Sequence, residues 1–219
     1  MPVKPVPSGR RRAILRHRRK DSILMGHGTI VLASASPRRS ELLALAGIEF
    51  SVEPAGICED VLPDEEPAEH VMRLSSEKAR AVAAKAAGRF FIGADTVVVL
   101  DNRIMGKPAD EQEAYGMLSA LSGRTHEVIT GFSVLDGETG VCLSRSVRTE
   151  VVFRPLAEQE IREYIASGCP MDKAGAYAIQ GGAVHFVRSI RGSYSNVVGL
   201  PMAELYELLQ TIQNQAKEL

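Results

Sequence analysis

Asp95 is the one charged residue inside the run FIGADTVVVL (91–100), whose other members suit the interior of a sheet. A carboxylate placed there loses much of its hydration, so a cation, a metal or hydrogen-bond donors must compensate it. A strand bend or edge, where backbone donors face the acid, would serve as well. Three other groups of residues bear on which of these holds. The stretch SASPRRS (34–40) sets the hydroxyls of Ser34 and Ser36 beside the guanidinium groups of Arg38 and Arg39. If it joins a strand to a helix, the unpaired N–H groups of the helix start complete an anion cradle, and arginine forks suit phosphate oxygens. Lys78 in RLSSEKA, Lys107 in MGKP and Lys173 in PMDKAG are cations at or near turns. Glu59 and Asp60 in GICED, together with Asp95, could hold a hard divalent cation between protein and polyphosphate. Each group also has a plain reading: solvated lysines, an acidic surface loop over Glu59–Glu69, arginines turned to water. His126, in SGRTHEV, has no metal-ligand spacing and reads as structural. Neither the G-x-x-x-x-G-K-[ST] of a P-loop nor the G-x-G-x-x-G of a dinucleotide fold is present.

The elements that must position these groups alternate between strand and helix. TIVLAS (29–34) reads as a short apolar strand. The helix after it has Ser36 as cap, Pro37 in its first turn and Gly47 at its end. FSVEPA is a second strand, and Pro67–Ala87 shows helical spacing with Gly88 as the stop. After the Asp95 strand comes a turn at Asp101-Asn102 and a helix over Glu111–Leu121. HEVITGFSVLD and VCLSRSVRTEVVF alternate as a long hairpin around GETG. A helix over Ala157–Ser167, a strand AVHFVRSI and a last helix from Pro201 toward Gln215 complete the pattern. This is mixed α/β, with a meander in its middle. Regular alternation places Thr96 on the strand face opposite Asp95, where a plain β-favouring threonine fits equally well.

Composition narrows the class. Of 219 residues 45% are hydrophobic and 24% charged, as in an ordinary globular domain. Cys58, Cys142 and Cys169 are odd in number and widely spaced, which suits reduced thiols in the cytoplasm. No apolar run approaches the roughly 20 residues of a bilayer span, so a membrane-spanning segment is not expected. The net charge of −1 conceals an asymmetry. Residues 1–28 hold eight Lys or Arg against Asp21 alone, and the remainder sums to −8. The basic segment 1–28 is expected to be a loosely ordered extension to a single domain over 29–219. The acidic body, 5% aromatic content and absence of Trp disfavour stable nucleic-acid binding.

Seven blocks, in order, carry a family resemblance: LASASPRRSELL (32–43), RLSSEKA (73–79), GADTVV (93–98), GKP (106–108), SGRTHEV (122–128), PMDKAGAYAIQG (170–181) and GSYSNVVGLP (192–201). Through them the chain resembles the Maf family of nucleoside triphosphate pyrophosphatases over nearly all of residues 29–219. The resemblance implies a cytoplasmic enzyme that cleaves a nucleotide to monophosphate and pyrophosphate with a divalent metal, Mg or Mn. It implies a mixed twisted sheet with flanking helices in two lobes around a central cleft, as in inosine triphosphatases. Asp95 falls on the family's proton acceptor, and Arg39, Glu59, Lys78 and Lys107 fall on positions tied to catalysis or phosphate binding. Asp95 and Glu59 would hold the metal, with Asp60 as the alternative one residue on, and Asp95 could serve as base, ligand or both. Ser34, Ser36, Arg38, Arg39, Thr96, Lys173 and Gln180 are the expected substrate contacts. Arg38 after Ser-Pro, Thr96 after the acid and Gln180 in AYAIQG resemble the branch acting on dTTP and UTP. The Gln180 amide offers the donor and acceptor that the O4/N3–H edge of uracil and thymine requires. CTP and modified pyrimidine nucleotides stay open as further substrates; an enzyme with another nucleotide preference, such as the modified purine 7-methyl-GTP, and a non-catalytic regulator of cell division are the alternatives. No motif sets the oligomeric state, and a homodimer stays open.

Overall fold

The computed structural model describes residues 29–215; the basic segment 1–28 lies outside the described residues. Seven strands form one mixed sheet: β1 (Ile30–Leu32), β2 (Phe50–Val52), β3 (Phe90–Leu100), β4 (Arg103–Met105), β5 (Thr125–Asp136), β6 (Cys142–Phe153) and β7 (Val187–Arg191). Their order is β2-β1-β3-β5-β6-β7, with β4 paired to β3. β1 runs parallel to both β2 and β3, and the other pairs are antiparallel. The helices are α1 (Pro37–Leu45), α2 (Pro67–Ala83), α3 (Glu111–Leu121), α4 (Glu158–Ala166), α5 (Tyr194–Val198) and α6 (Met202–Gln215).

β3 is the interior strand against which the rest is built, and its two faces pack differently. Phe90, Ile92 and Ala94 join Leu42, Leu43, Val198 and Leu208 in one apolar cluster. Val98 and Leu100, further along the same face, join Leu118, Ile161, Phe153 and Phe186 in a second. Thr96 falls between them, and its hydroxyl meets that of Thr130 on β5 at 3.0 Å. Two cores therefore flank a polar seam on one side of the sheet. On the other face α2 lies across β3 and β5, with Val71, Val97, Val99 and Ile129 packed together.

That helix comes unusually near the sheet because two strand glycines let it. A Cβ built on Gly93 would stand 1.9 Å from the Ser75 carbonyl oxygen, and one on Gly131 would stand 2.3 Å from Val71 backbone atoms. Gly131 is the cross-strand partner of Asp95. Close backbone approach is a recurring reason for glycine inside a strand.

Several local expectations change on folding. Ser36 occupies the N-cap position of α1 but makes no side-chain cap; its N–H donates instead to Ser34 Oγ at 3.2 Å. The AVHFVRSI segment is strand only from Val187, since Val184–Phe186 forms a 3-10 turn. β4 and the five-residue α5 are additional elements, too short for periodicity to reveal. Asp101 and Asn102 both take positive φ, 50° and 60°, and join β3 to β4 as a tight hairpin. Among the described residues no helix is long and apolar enough to cross a membrane.

Candidate active site

The end of β1, the loop after β2, α2, the middle of β3 and the loop after β4 converge on a cleft of about 530 Å³. Ser34, Ser36, Arg38, Arg39, Glu59, Lys78, Asp95, Thr96, Lys107, Lys173 and Gln180 all line it. Every expected site residue thus borders one hollow, although their individual surroundings differ sharply.

Asp95 projects from β3 toward α2, where Lys78 is carried one turn beyond the Ser75 contact that Gly93 permits. The Lys78 ammonium donates to Asp95 Oδ1 at 2.7 Å, and both residues are buried, at 7% and 8% exposure. The same ammonium lies 2.6 Å from Glu59 Oε1, while Lys107 Nζ is 3.2 Å from Glu59 Oε2. The result is a chain of alternating charge, Asp95–Lys78–Glu59–Lys107, crossing from sheet to loop. Burial works to raise the Glu59 pKa, but hydrogen bonds and charge from Lys78, followed by those of Lys107, outweigh it and hold the carboxyl at about 2. Asp60 is turned elsewhere, with its carboxylate accepting from the Cys58 thiol.

The loop bearing Glu59 is tied to α2 at its far side. Arg73 reaches Glu65 from two nitrogens, at 2.6 and 2.8 Å, and donates to the Asp60 carbonyl at 3.0 Å. His70 Nδ1 lies 2.9 Å from Glu65 as well. This fork-to-carboxylate attachment gives the loop a firm foot.

Across β3 the arginines divide. Arg38 lines the cleft with no hydrogen bond or ion pair to protein among the described residues. Arg39 departs from the expectation of an open phosphate fork. Its Nε donates to the Gly199 carbonyl at 2.8 Å, Nη1 to Ser34 Oγ and to the Ala94 carbonyl at 2.9 Å each, and Nη2 to Thr96 Oγ1 at 3.1 Å. Four of five N–H donors are engaged by protein. Ser34 and Thr96 therefore act in this structure as acceptors for Arg39, on the face opposite the acid that regular alternation gave Thr96. The seam continues behind them: Thr130 donates to the Asn196 carbonyl, and Asn196 Nδ2 donates to Val128 O and Thr149 Oγ1.

At the remaining wall, Lys173 pairs with its neighbour Asp172, and the buried Gln180 Oε1 has no hydrogen-bond partner among the described residues. Sequence reading passed over Asp172, Tyr177, Gly93, Gly131 and the Gly199 carbonyl. The two strand glycines were the available signal; the carbonyl left none in the side-chain pattern.

The sequence profile of Maf-like protein matches residues 29–212. The chain belongs to the Maf-like protein family. This Maf-like chain is 59% identical over 188 residues to a protein of Geobacter sp. (strain M21) named dTTP/UTP pyrophosphatase, covering 86% of this chain and 97% of that protein. It is 57% identical, over 86% of this chain and 98% of the other, to a dTTP/UTP pyrophosphatase of Geobacter sulfurreducens. A dTTP/UTP pyrophosphatase of Syntrophus aciditrophicus is 50% identical, covering 83% and 88%. Among solved structures, a nucleoside-triphosphatase / dITP/XTP pyrophosphatase of Mycobacterium abscessus is similar at 16% identity and a TM-score of 0.37, covering 58% of this chain and 75% of that one.

Proposed function

We propose that this Maf-like chain hydrolyses dTTP and UTP between the α and β phosphates, releasing the nucleoside monophosphate and pyrophosphate. The observation that carries the reading is the Lys78 ammonium held between Asp95 and Glu59 in a cleft that also presents Lys107, Arg38 and Gln180. Relatives at 50 to 59% identity bearing the name dTTP/UTP pyrophosphatase support the substrate class.

A water oxygen attacks the α phosphorus, Asp95 accepts its proton, and the bond to the bridging oxygen breaks with its electron pair leaving on pyrophosphate. Lys78 has two duties. It compensates the ionised acid within the apolar sheet, and its position beside the cleft lets it meet phosphate oxygens as charge develops on them. Lys107 and Arg38 supply further positive charge to the leaving group. Gln180 reads the pyrimidine edge with its amide, whose carbonyl lacks a hydrogen-bond partner among the described residues.

The donor set also fits a divalent metal. Two carboxylates, Asp95 and Glu59, already converge on a single cation, the Lys78 ammonium, and hard oxygen donors of this kind suit Mg or Mn. Among the described residues no group of three or more His, Cys, Asp or Glu side chains could hold such an ion. Phosphate oxygens and water would complete the shell, as is usual for Mg. Held through Asp95 and Glu59, such a metal would neutralise phosphate charge and lower the pKa of the attacking water.

The test is a panel of pyrimidine and purine triphosphates with and without added Mg or Mn, with products resolved. Monophosphate plus pyrophosphate from dTTP and UTP is expected. Diphosphate plus orthophosphate overturns the bond assignment, and equal rates on purines overturn the base assignment.

A further inference from the structure

His126 belongs to SGRTHEV, a block with no part in the phosphate chemistry, yet it is 2% exposed, and among the described residues its ring makes one hydrogen bond, through Nε2, while its buried Nδ1 has no partner. Its Nε2 lies 2.8 Å from the hydroxyl of Tyr177, itself 6% exposed. The two rings sit edge to face with Phe153 and with each other, at centroid distances of 4.8 to 5.4 Å. A phenylalanine and a leucine would fill such a space with no polar atom to satisfy. The hydrogen bond thus adds direction where packing alone would suffice.

Tyr177 also lines the cleft, in the segment that runs from Lys173 to Gln180. That segment is held in a conformation it would not adopt alone. Gly175 and Ala176 both take positive φ, 63° and 58°, the second unusual for a residue with a Cβ. The Gly175 N–H donates to the Gly106 carbonyl at 3.0 Å, and its Cα presses on Val98 so closely that a Cβ would stand 2.9 Å from that side chain. Gly106 immediately precedes Lys107. Beyond the strained pair, the Tyr177 hydroxyl makes, among the described residues, the side-chain hydrogen bond that joins the segment to the sheet; the Ala178 N–H donates to the Tyr164 hydroxyl on α4 at 3.4 Å, and Gln180 follows two residues later.

We infer that His126 is a positioning residue for base selection: through Tyr177 it fixes the Lys173–Gln180 segment on β5, so that the Gln180 amide meets the pyrimidine edge in one register. This rests on the pyrimidine reading above and extends it to a residue that cannot touch substrate. Burial among aromatic rings pushes the His126 pKa down to about 4, so the ring stays neutral through the physiological range and its contact with the hydroxyl persists. Amide recognition of a base edge demands placement within a fraction of an ångström, which a strained segment without its anchor does not keep.

The full chain and the variants Tyr177→Phe, His126→Leu and His126→Gln are compared for kcat and KM on dTTP, UTP, CTP and a purine triphosphate, with pyrophosphate inhibition measured alongside. Tyr177→Phe keeps the ring but leaves the buried imidazole without a hydrogen bond, at a cost in stability, so thermal melting first verifies that each variant is folded at the assay temperature. Both Tyr177→Phe and His126→Leu are expected to lower the preference for UTP over CTP about tenfold, with the fall in KM terms and pyrophosphate inhibition within about twofold of wild type. His126→Gln, whose amide reaches the Nε2 position, is expected to restore most of the preference. Unchanged base preference in folded Tyr177→Phe and His126→Leu overturns the inference, as does an equal loss on every nucleotide. A wild type that shows no preference for dTTP and UTP overturns the pyrimidine reading and this inference with it.

Discussion

Asp95 and Arg39 both stand close to the centre of the site, and their contacts assign them different work. The carboxylate faces Lys78 and the cleft, whereas the guanidinium grips Ala94 and Thr96, the residues on either side of that acid. Asp95→Asn is expected to abolish turnover while nucleotide affinity stays within about tenfold. Arg39→Ala is expected to lower kcat and melting temperature together, with pyrophosphate affinity reduced less than in Arg38→Ala; isothermal titration and steady-state kinetics on the three variants measure this. A loss of pyrophosphate affinity in Arg39→Ala equal to that in Arg38→Ala would return Arg39 to direct phosphate contact. Much at this scale was legible beforehand. An acid in an apolar strand asks for a cation, and Lys78 answers. Arg39 looks like an open fork in the sequence, which shows the guanidinium but not the carbonyls of Ala94 and Gly199, backbone groups that any residue could supply.

The helices and strands were legible where their periods are long, as in α2, α3 and the β5–β6 hairpin, and obscure where they span three to five residues, as in β4 and α5. The docking of α2 was open to inference from the glycines in GAD and ITGF, yet strand patterning alone does not say which helix approaches them. Gly93 carries the sharper consequence. A methyl group there meets the backbone of Ser75 at 1.9 Å, and backbone cannot swing aside as a side chain does. Gly93→Ala is expected to destabilise the fold by about 3 kcal/mol or more and to draw Lys78 away from Asp95, so that residual folded enzyme loses activity. Urea unfolding with kinetics on the remaining native fraction measures both. Gly116→Ala is the control, since a Cβ on that α3 residue meets nothing within 4 Å; it should be neutral or slightly stabilising.

For the molecule as a whole, the buried His126 ties stability to pH. Its folded pKa is depressed from 6.5 to about 4 by burial, so between those values the unfolded chain binds a proton that the native chain refuses. Stability must then fall as pH falls from 6.5 toward 4, by on the order of 3 kcal/mol from this one ring. Glu59 acts in the same direction at lower pH: held at about 2 by Lys78 and Lys107 against burial, it contributes above its ordinary carboxylate range and loses that contribution as pH drops toward 2. Urea midpoints followed from pH 7 to 4 should decline in wild type and flatten in His126→Gln; parallel slopes would show that the ring is not the titrating group. The alternation of β3 has a further corollary. Asp95 and Thr96 are adjacent in sequence but serve opposite layers, one addressing Lys78 and the other Arg39. Inserting a single residue upstream within this strand would turn every following side chain to the other layer, sending the negative charge toward a guanidinium already spoken for and setting the methyl group of Ala94 opposite the ammonium. The two chemistries of the cleft are therefore phased by parity, and that parity leaves this strand little freedom to change length.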